Sequence, residues 1–304
     1  MGGTSSNLYG AFHRHFPQDA SKVLLTTEQG VTYTYADAEQ LSAQMANYLV
    51  GLGLEQGDRV TVQVEKSPEM LWLYLGIVRA GLVFHPLNTA YTEEELEYFL
   101  ENAEPSAVIC DESRQDMFTR LCERTAVAHL YTLNADGGGD LVPAAAECSL
   151  QFKTVASQGE DLACLLYSSG TTGRPKGIML SHANLIDNAS VLADYWGFSA
   201  DDCLLHALPV FHVHGLFVAL GCVFMRGASM RWLPKFDVAT VMQNLPRSTV
   251  MMGVPTYYTR LLAEPSFDAG VCVSVRLFVS GSAPLLADTF EEFEQRTGKR
   301  ILER

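Results

Sequence analysis

The sequence predicts an α/β fold built on mostly parallel sheets. Two observations carry this: strand-like and helix-like segments alternate over residues 31–110, and the alternation resumes at Leu162. The helices are also bounded by residues that start and stop them.

Residues 31–35 form a β-prone run. Leu41, Met45, Tyr48 and Leu49 follow at helical spacing until Gly51 or Gly53 closes the helix. Residues 57–64 alternate as a strand does. Ser67 then caps a helix with Pro68 in its first turn. Met70, Leu71, Leu73, Tyr74, Ile77 and Val78 supply its wide apolar face, and Gly81 stops it. Thr92 and Glu95 make a capping box for a helix to about Asn102, and residues 107–110 read as another strand. Residues 112–160 are less legible. Their Gly137-Gly138-Gly139 lacks the strand-before, helix-after setting of a dinucleotide loop and reads as a surface turn. Beyond Leu162, strands are expected near 203–208, 229–233, 250–252 and 277–279, with helices near 184–195 and 286–297. Gly298 ends the last helix. No internal repeat or coiled-coil heptad is present.

At 304 residues the chain is large for one compact domain, so one large domain with subdomains, or two domains, is expected, with approximate subdomains at 1–160 and 161–304. Its 48% hydrophobic and 18% charged content is that of an ordinary globular protein. A net charge of −14 argues against nucleic acid or an anionic membrane as partner. Any anionic ligand must therefore be met by locally gathered cations and N–H groups. The seven cysteines are odd in number, scattered and without a CxxC pair, which points to free core thiols in a reducing compartment. That compartment is the cytoplasm, or the mitochondrion if the source is eukaryotic. No apolar run approaches the ~20 residues of a membrane span, and no signal-peptide core or Arg-rich leader opens the chain. Gly2 with Ser6 formally fits a myristoylation pattern and is read as coincidence.

Residues 167–177 read YSSGTTGRPKG. Glycines let the backbone approach a ligand closely, successive N–H groups form an anion nest, the hydroxyls add donors, and Lys176 brings a positive charge. A plain Ser/Gly/Thr surface turn is the alternative. Against it stand the apolar flanks, with Leu162, Cys164, Leu165 and Leu166 before and Ile178, Met179 and Leu180 after, and the lysine held between Pro175 and Gly177. The segment is not a Walker loop, because Pro175 stands where that pattern needs glycine and Gly177 follows the lysine. A strand follows it, so a strand-to-strand link without a helix dipole is expected.

This run resembles the signature loop of the adenylate-forming superfamily: acyl-CoA synthetases, adenylation domains and luciferases. LPVFHVHGLF (208–217), MGVPTYYTRLL (252–262) and RLFVSGSAPL (276–285) follow in that family's order, and PLNTAYTEEELEYFLENAEP (86–105) resembles its N-terminal subdomain. The likeness runs from about Leu8 to the last residue and is most like the malonyl-CoA synthetases. It implies the large N-terminal domain, with layered αβαβα subdomains, incomplete and with the small C-terminal domain absent. The family continues after Glu-Arg with a Tyr-Gly-x-Thr-Glu segment, a ribose-binding aspartate, a hinge and a mobile domain carrying a catalytic lysine.

The resemblance also implies ATP, Mg2+ and coenzyme A, and a small carboxylic acid, malonate, as substrate. It assigns the β- and γ-phosphates to Ser168, Ser169, Gly170, Thr171, Thr172, Gly173 and Lys176, with an indirect Mg2+ contact at Thr171. Catalytic roles fall to Thr171, Lys176 and His212. Ser280, Gly281, Ser282, Ala283 and Pro284 are set against adenine and the acyl group. His212 lines the acyl pocket and His214 stands beside it. As a zinc pair the two histidines would lack a clear third and fourth ligand. His206, in a strand-like run, reads as structural, as does Arg276. Arg260 is the candidate partner for malonate's second carboxylate, its alternative being an exposed helix arginine. Methylmalonate or another short acid is the runner-up substrate, and a nucleotide-binding chain without catalysis is the reading from another class.

Overall fold

The structure, a computed structural model, describes residues 6–168 and 175–304. The chain divides into two compact units, Met1–Arg14 with Ala36–Asp187, and His15–Tyr35 with Asn188–Arg304.

Among the described residues, the first unit holds a six-stranded sheet. Its order is His129–Thr132, Ala107–Cys110, Arg59–Gln63, Val83–Pro86, Leu162–Ser168, Lys176–Ser181. Every pairing is parallel except the last, where Leu162–Ser168 and Lys176–Ser181 run antiparallel. Val83–Pro86 and Ala107–Cys110 are buried along their whole length, as strands covered on both faces must be.

The predicted helix signals act as read. Ser67 Oγ accepts the Met70 N–H at 3.1 Å, Pro68 occupies the first turn, and Met70 to Arg79 are all buried. Gly76 lets this helix approach Tyr35–Gly51, since a Cβ there would lie 2.6 Å from Met45 Cβ. Gly81, at φ +72, turns the chain back into the sheet. Thr92 and Glu95 close their capping box on helix Glu93–Ala103, whose Leu96, Phe99 and Leu100 pack with Val108, Phe118 and Leu121.

The illegible stretch contains helix Gln115–Thr125, strand His129–Thr132 and helix Leu141–Ala146. The triple glycine between the last two is a turn closed by Gly137 N–H to Asn134 O at 3.0 Å and Asn134 N–H to Gly138 O at 2.9 Å.

The second unit holds, among the described residues, a seven-stranded sheet. Its order is Ile301–Glu303, Leu277–Ser280, Val250–Gly253, Cys203–His206, Ser229–Trp232, Val23–Thr27, Thr32–Thr34. Only the Val23–Thr27 and Thr32–Thr34 pair is antiparallel. Leu205, Met251, Tyr258, Phe267, Phe278, Phe293 and Ile301 belong to its core cluster. Arg276 is structural: its guanidinium grips Asp202 at 2.8 and 2.6 Å and also donates to Trp196 O and Gly197 O.

The seven cysteines are free thiols, five of them buried. Among the described residues no helix is long and apolar enough to cross a membrane.

Candidate functional site

The candidate residues fall into two groups, each built within its own unit. In the first unit the antiparallel pair Leu162–Ser168 and Lys176–Ser181 carries the phosphate-loop segment, with Ser168 and Lys176 as register partners at its two ends. Lys176 and Gly177 are exposed. Ser169, Gly170, Thr171, Thr172 and Gly173 lie outside the described residues. A strand flanks the segment on each side, and the link between them, 169–174, lies outside the described residues.

In the second unit, strands Cys203–His206, Val250–Gly253 and Leu277–Ser280 lie side by side and parallel, so their C-terminal ends open on one edge. Ligands in open parallel sheets bind outside such ends. Here the chain following the three strands lines a cleft of about 320 Å³, formed by Leu208, Pro209, His212, Val213, His214, Gly215, Val254 and Ser282.

Three predicted residues, His212, His214 and Ser282, are thus brought together from segments 70 residues apart in the chain (212 to 282). His214 opens a π-helical turn, His214–Ala219, a rare geometry that is frequent at functional sites. Gly215 makes the turn possible, because a Cβ there would meet Pro209 O at 2.0 Å.

His214 is buried and its Nε2 has no hydrogen-bond partner among the described residues, while Nδ1 stands 3.4 Å from Ser282 Oγ. Burial, with the charge of Arg304 adding to it, pushes its pKa down to about 4. The ring is therefore neutral at pH 7, with one nitrogen donating and one accepting. Ser282 has φ +71, a left-handed backbone that a non-glycine residue adopts at a cost and that clusters at ligand sites. Gly281 is buried against the His214 ring, 3.1 Å from Cε1 by a hypothetical Cβ. The buried Ser280 Oγ likewise has no partner among the described residues. His212 is exposed at the cleft, and partial desolvation holds it below the usual histidine pKa.

The other predicted residues stand apart from this lining. Ala283 and Pro284 are exposed beyond it. Arg260 is exposed on helix Pro255–Leu262, its guanidinium 4.8 Å above the Phe236 ring, which in turn stacks on Tyr257 at 3.9 Å. His206 is structural: it is buried, its Nε2 is 2.8 Å from Gly215 O, and it packs on Trp232. Leu208, Pro209, Gly215 and Val254 are cleft residues that the sequence did not single out. The glycine directly after His214 was the available signal.

Among the described residues no group of three or more His, Cys, Asp or Glu is arranged to hold a metal ion. Thr171, expected near Mg2+, lies outside them.

A parallel-sheet unit with a cleft at its strand ends, and a second carrying a Ser/Thr/Gly/Lys segment on a strand pair, place this chain among the α/β proteins with ligand-sized clefts at their strand ends. The chain belongs to the AMP-binding enzyme family, which matches residues 12–303. It is 31% identical over 242 residues to the mitochondrial malonate–CoA ligase of Xenopus laevis, covering 74% of this chain and 41% of that protein. It is 28% identical over 311 residues to a long-chain-fatty-acid–CoA ligase of Bacillus subtilis, covering 90% of this chain and 55% of that protein. The crystal structure of ATP-bound MatB from Rhodopseudomonas palustris superimposes with a TM-score of 0.96 at 48% identity, over 99% of this chain and 59% of that one. The chain spans about half the length of the curated relatives it matches.

Proposed function

We propose that this chain provides the nucleotide- and acid-binding part of an ATP-dependent acid–CoA ligase, with malonate as the acid. The observation that carries the reading is the strand-end cleft holding a buried neutral histidine with an unpartnered nitrogen, His214, beside the strained Ser282. The likeness to the Xenopus malonate–CoA ligase and to MatB supports it.

In the proposed reaction a carboxylate oxygen attacks the α-phosphorus of ATP in line. The bond to the bridging oxygen breaks, pyrophosphate leaves with that electron pair, and an acyl-adenylate forms. The thiol of coenzyme A then loses its proton to solvent, its sulfur attacks the acyl carbonyl, and the bond from the acyl carbon to the adenylate oxygen breaks, so that AMP leaves with that electron pair. No protein nucleophile is required, because the acid is already ionised at neutral pH. The protein positions reactants and stabilises charge. Ser168 and Lys176 at the ends of the loop segment, with Ser169 to Gly173 between them, hold the β- and γ-phosphates. Mg2+, if carried in with ATP, would supply counter-charge to the triphosphate beside Lys176. In the cleft His212 orients the carboxylate, His214 offers its free nitrogen to an oxygen of the bound ligand, and Ser282 lies against the acyl group. Ser280 to Pro284 lead from there toward adenine.

Arg260 is assigned the second carboxylate of malonate. Its exposure, together with the apolar Leu208, Val213 and Val254 of the lining, favours a second reading, a short acid with one carboxylate, while methylmalonate is the alternative diacid. One methyl is worth only about 0.8 kcal/mol, so volume separates the diacids weakly. Equilibrium binding of radiolabelled malonate to the chain, with a non-hydrolysable ATP analogue present, tests the choice. Malonate is expected to bind in preference to butyrate and octanoate. Arg260→Met should remove about 10- to 150-fold of that preference, the worth of a charge-assisted bond. Equal binding of octanoate would overturn malonate as substrate, and absence of nucleotide binding would overturn the ligase reading.

A further inference from the structure

We infer that helix Glu93–Ala103 is the mount that positions Lys176, through Tyr98 and Asn102 acting as positioning residues on the two ends of the loop segment. The inference rests on the proposed phosphate-binding role of that segment. Tyr98 OH donates to Pro175 O at 2.8 Å, so the residue directly before Lys176 is tied to the helix. One helical turn on, Asn102 Oδ1 accepts from Tyr167 OH at 2.5 Å, tying the residue directly before Ser168. Positions four apart share one helix face, so a single face holds both strands of the pair. The Phe99 ring lies 4.6 Å from the Tyr167 ring and adds apolar contact between the two ties.

This face is rigid for reasons already in the sequence. The helix is fixed at its start by the Thr92 and Glu95 capping box, and its inner side is buried through Leu96, Phe99 and Leu100. Ser168 and Lys176 are register partners, so holding Tyr167 and Pro175 sets both the separation and the direction of the strand ends. A lysine that binds phosphate as a point charge on a flexible stem gains from a fixed backbone, because less freedom is lost on binding. Neither tyrosine hydroxyl nor Asn102 is needed to fill the core. Asn102 is exposed and Tyr98 half-buried, so their bonds direct the strand ends and do not build the fold.

The test uses the 304-residue chain with Tyr98→Phe, Asn102→Ala, Tyr167→Phe and, as control, Lys176→Met. Amide hydrogen exchange at Ser168 and Lys176, the ATP·Mg2+ dissociation constant and the thermal unfolding midpoint are measured for each. Each mount variant should speed exchange at Ser168 and Lys176 and weaken ATP by about threefold to tenfold with an unchanged midpoint. Asn102→Ala and Tyr167→Phe should not add, because they break the same bond. Unchanged exchange in Tyr98→Phe and Asn102→Ala would overturn the inference. So would faster exchange with unaltered ATP affinity when Lys176→Met still weakens ATP. If Lys176→Met itself leaves ATP affinity unchanged, the phosphate-binding reading falls, and the mount's proposed purpose with it.

Discussion

The loop mount of the first unit and the cleft of the second are built on the same kind of sheet yet prepare for ligands in opposite ways. The mount presents an exposed lysine and an exposed glycine at the end of a strand pair, where a Cβ on Gly177 would make only ordinary contacts, the nearest with Leu165 at 3.4 Å. The cleft buries its histidine, neutralises it by desolvation, and packs two glycines so tightly that neither could carry a methyl group without displacing a neighbour. Recognition by charge needs water-facing groups whose positions are fixed by backbone ties. Recognition by a desolvated polar atom needs the whole surrounding fold, because an unpartnered buried nitrogen is tolerable only where packing enforces it.

Four experiments probe that contrast. Its largest expected consequence is steric. Gly215→Ala should destabilise the protein by about 3 kcal/mol, since its Cβ would collide with Pro209 O at 2.0 Å. Gly177→Ala, whose Cβ would find its nearest neighbour at 3.4 Å, should stay within about 0.5 kcal/mol of the parent. Urea denaturation midpoints compare the two, and equal losses would erase the distinction.

Acidification comes next. An unfolded histidine titrates near 6.5 while folded His214 titrates near 4, so between those values only the unfolded chain gains the proton. The stability His214 contributes is present above pH 6.5 and is lost as pH falls toward 4, about 3 kcal/mol in full. His85 and His182, held by burial near 3 and 4, add losses of the same sign from the first unit. Unfolding free energy against pH should therefore fall steeply below 6.5, and His214→Gln should flatten only its own share. An unaltered slope would mean the cleft is wetter than its packing implies.

Lys176→Met should weaken ATP binding about 10- to 100-fold by loss of a charge-assisted contact, with folding stability unchanged. Isothermal titration beside a thermal melt reads both quantities. A fall in melting temperature would show that the mount, like the cleft, depends on its ligand group for stability. The smallest effect belongs to Ser282→Gly, which should relieve about 1 kcal/mol of backbone strain at φ +71 while loosening the cleft. A stabilised variant with undiminished nucleotide affinity would show that the strain has no bearing on binding.

Much of the local structure was readable because local chemistry specifies it. The Ser67 cap, the Thr92–Glu95 box, the stops at Gly81 and Gly298, and the strand-to-strand setting of the loop segment all follow from side chains within a few residues of each other. Helix Gln115–Thr125 was not readable. Its buried contacts are confined to Phe118, Leu121 and Cys122 on an otherwise charged segment. Strand Val23–Thr27 escaped notice because its parallel partner, Ser229–Trp232, lies about 200 residues away and leaves no mark on its own sequence. Strand Ile301–Glu303 is only three residues long.

For the candidate site the same division holds. YSSGTTGRPKG, HVHG and VSGSAP could be picked out as ligand-facing segments, since glycine, hydroxyl and cation content is visible in the chain. That Arg260 rests on Phe236 outside the cleft lining was not visible, nor was the burial of His214 against Gly281.

By itself, then, the sequence determined the alternation of strands and helices, their caps and stops, and the family of nucleotide-handling proteins to which the chain belongs. The tertiary structure alone decided that the ends of three strands distant in the chain would meet, that His214 would be dry and neutral, and that one face of helix Glu93–Ala103 would hold both ends of the loop segment. The physical reason is that caps and turns are settled by neighbours along the chain. Desolvation and strand pairing depend on residues that only folding brings together.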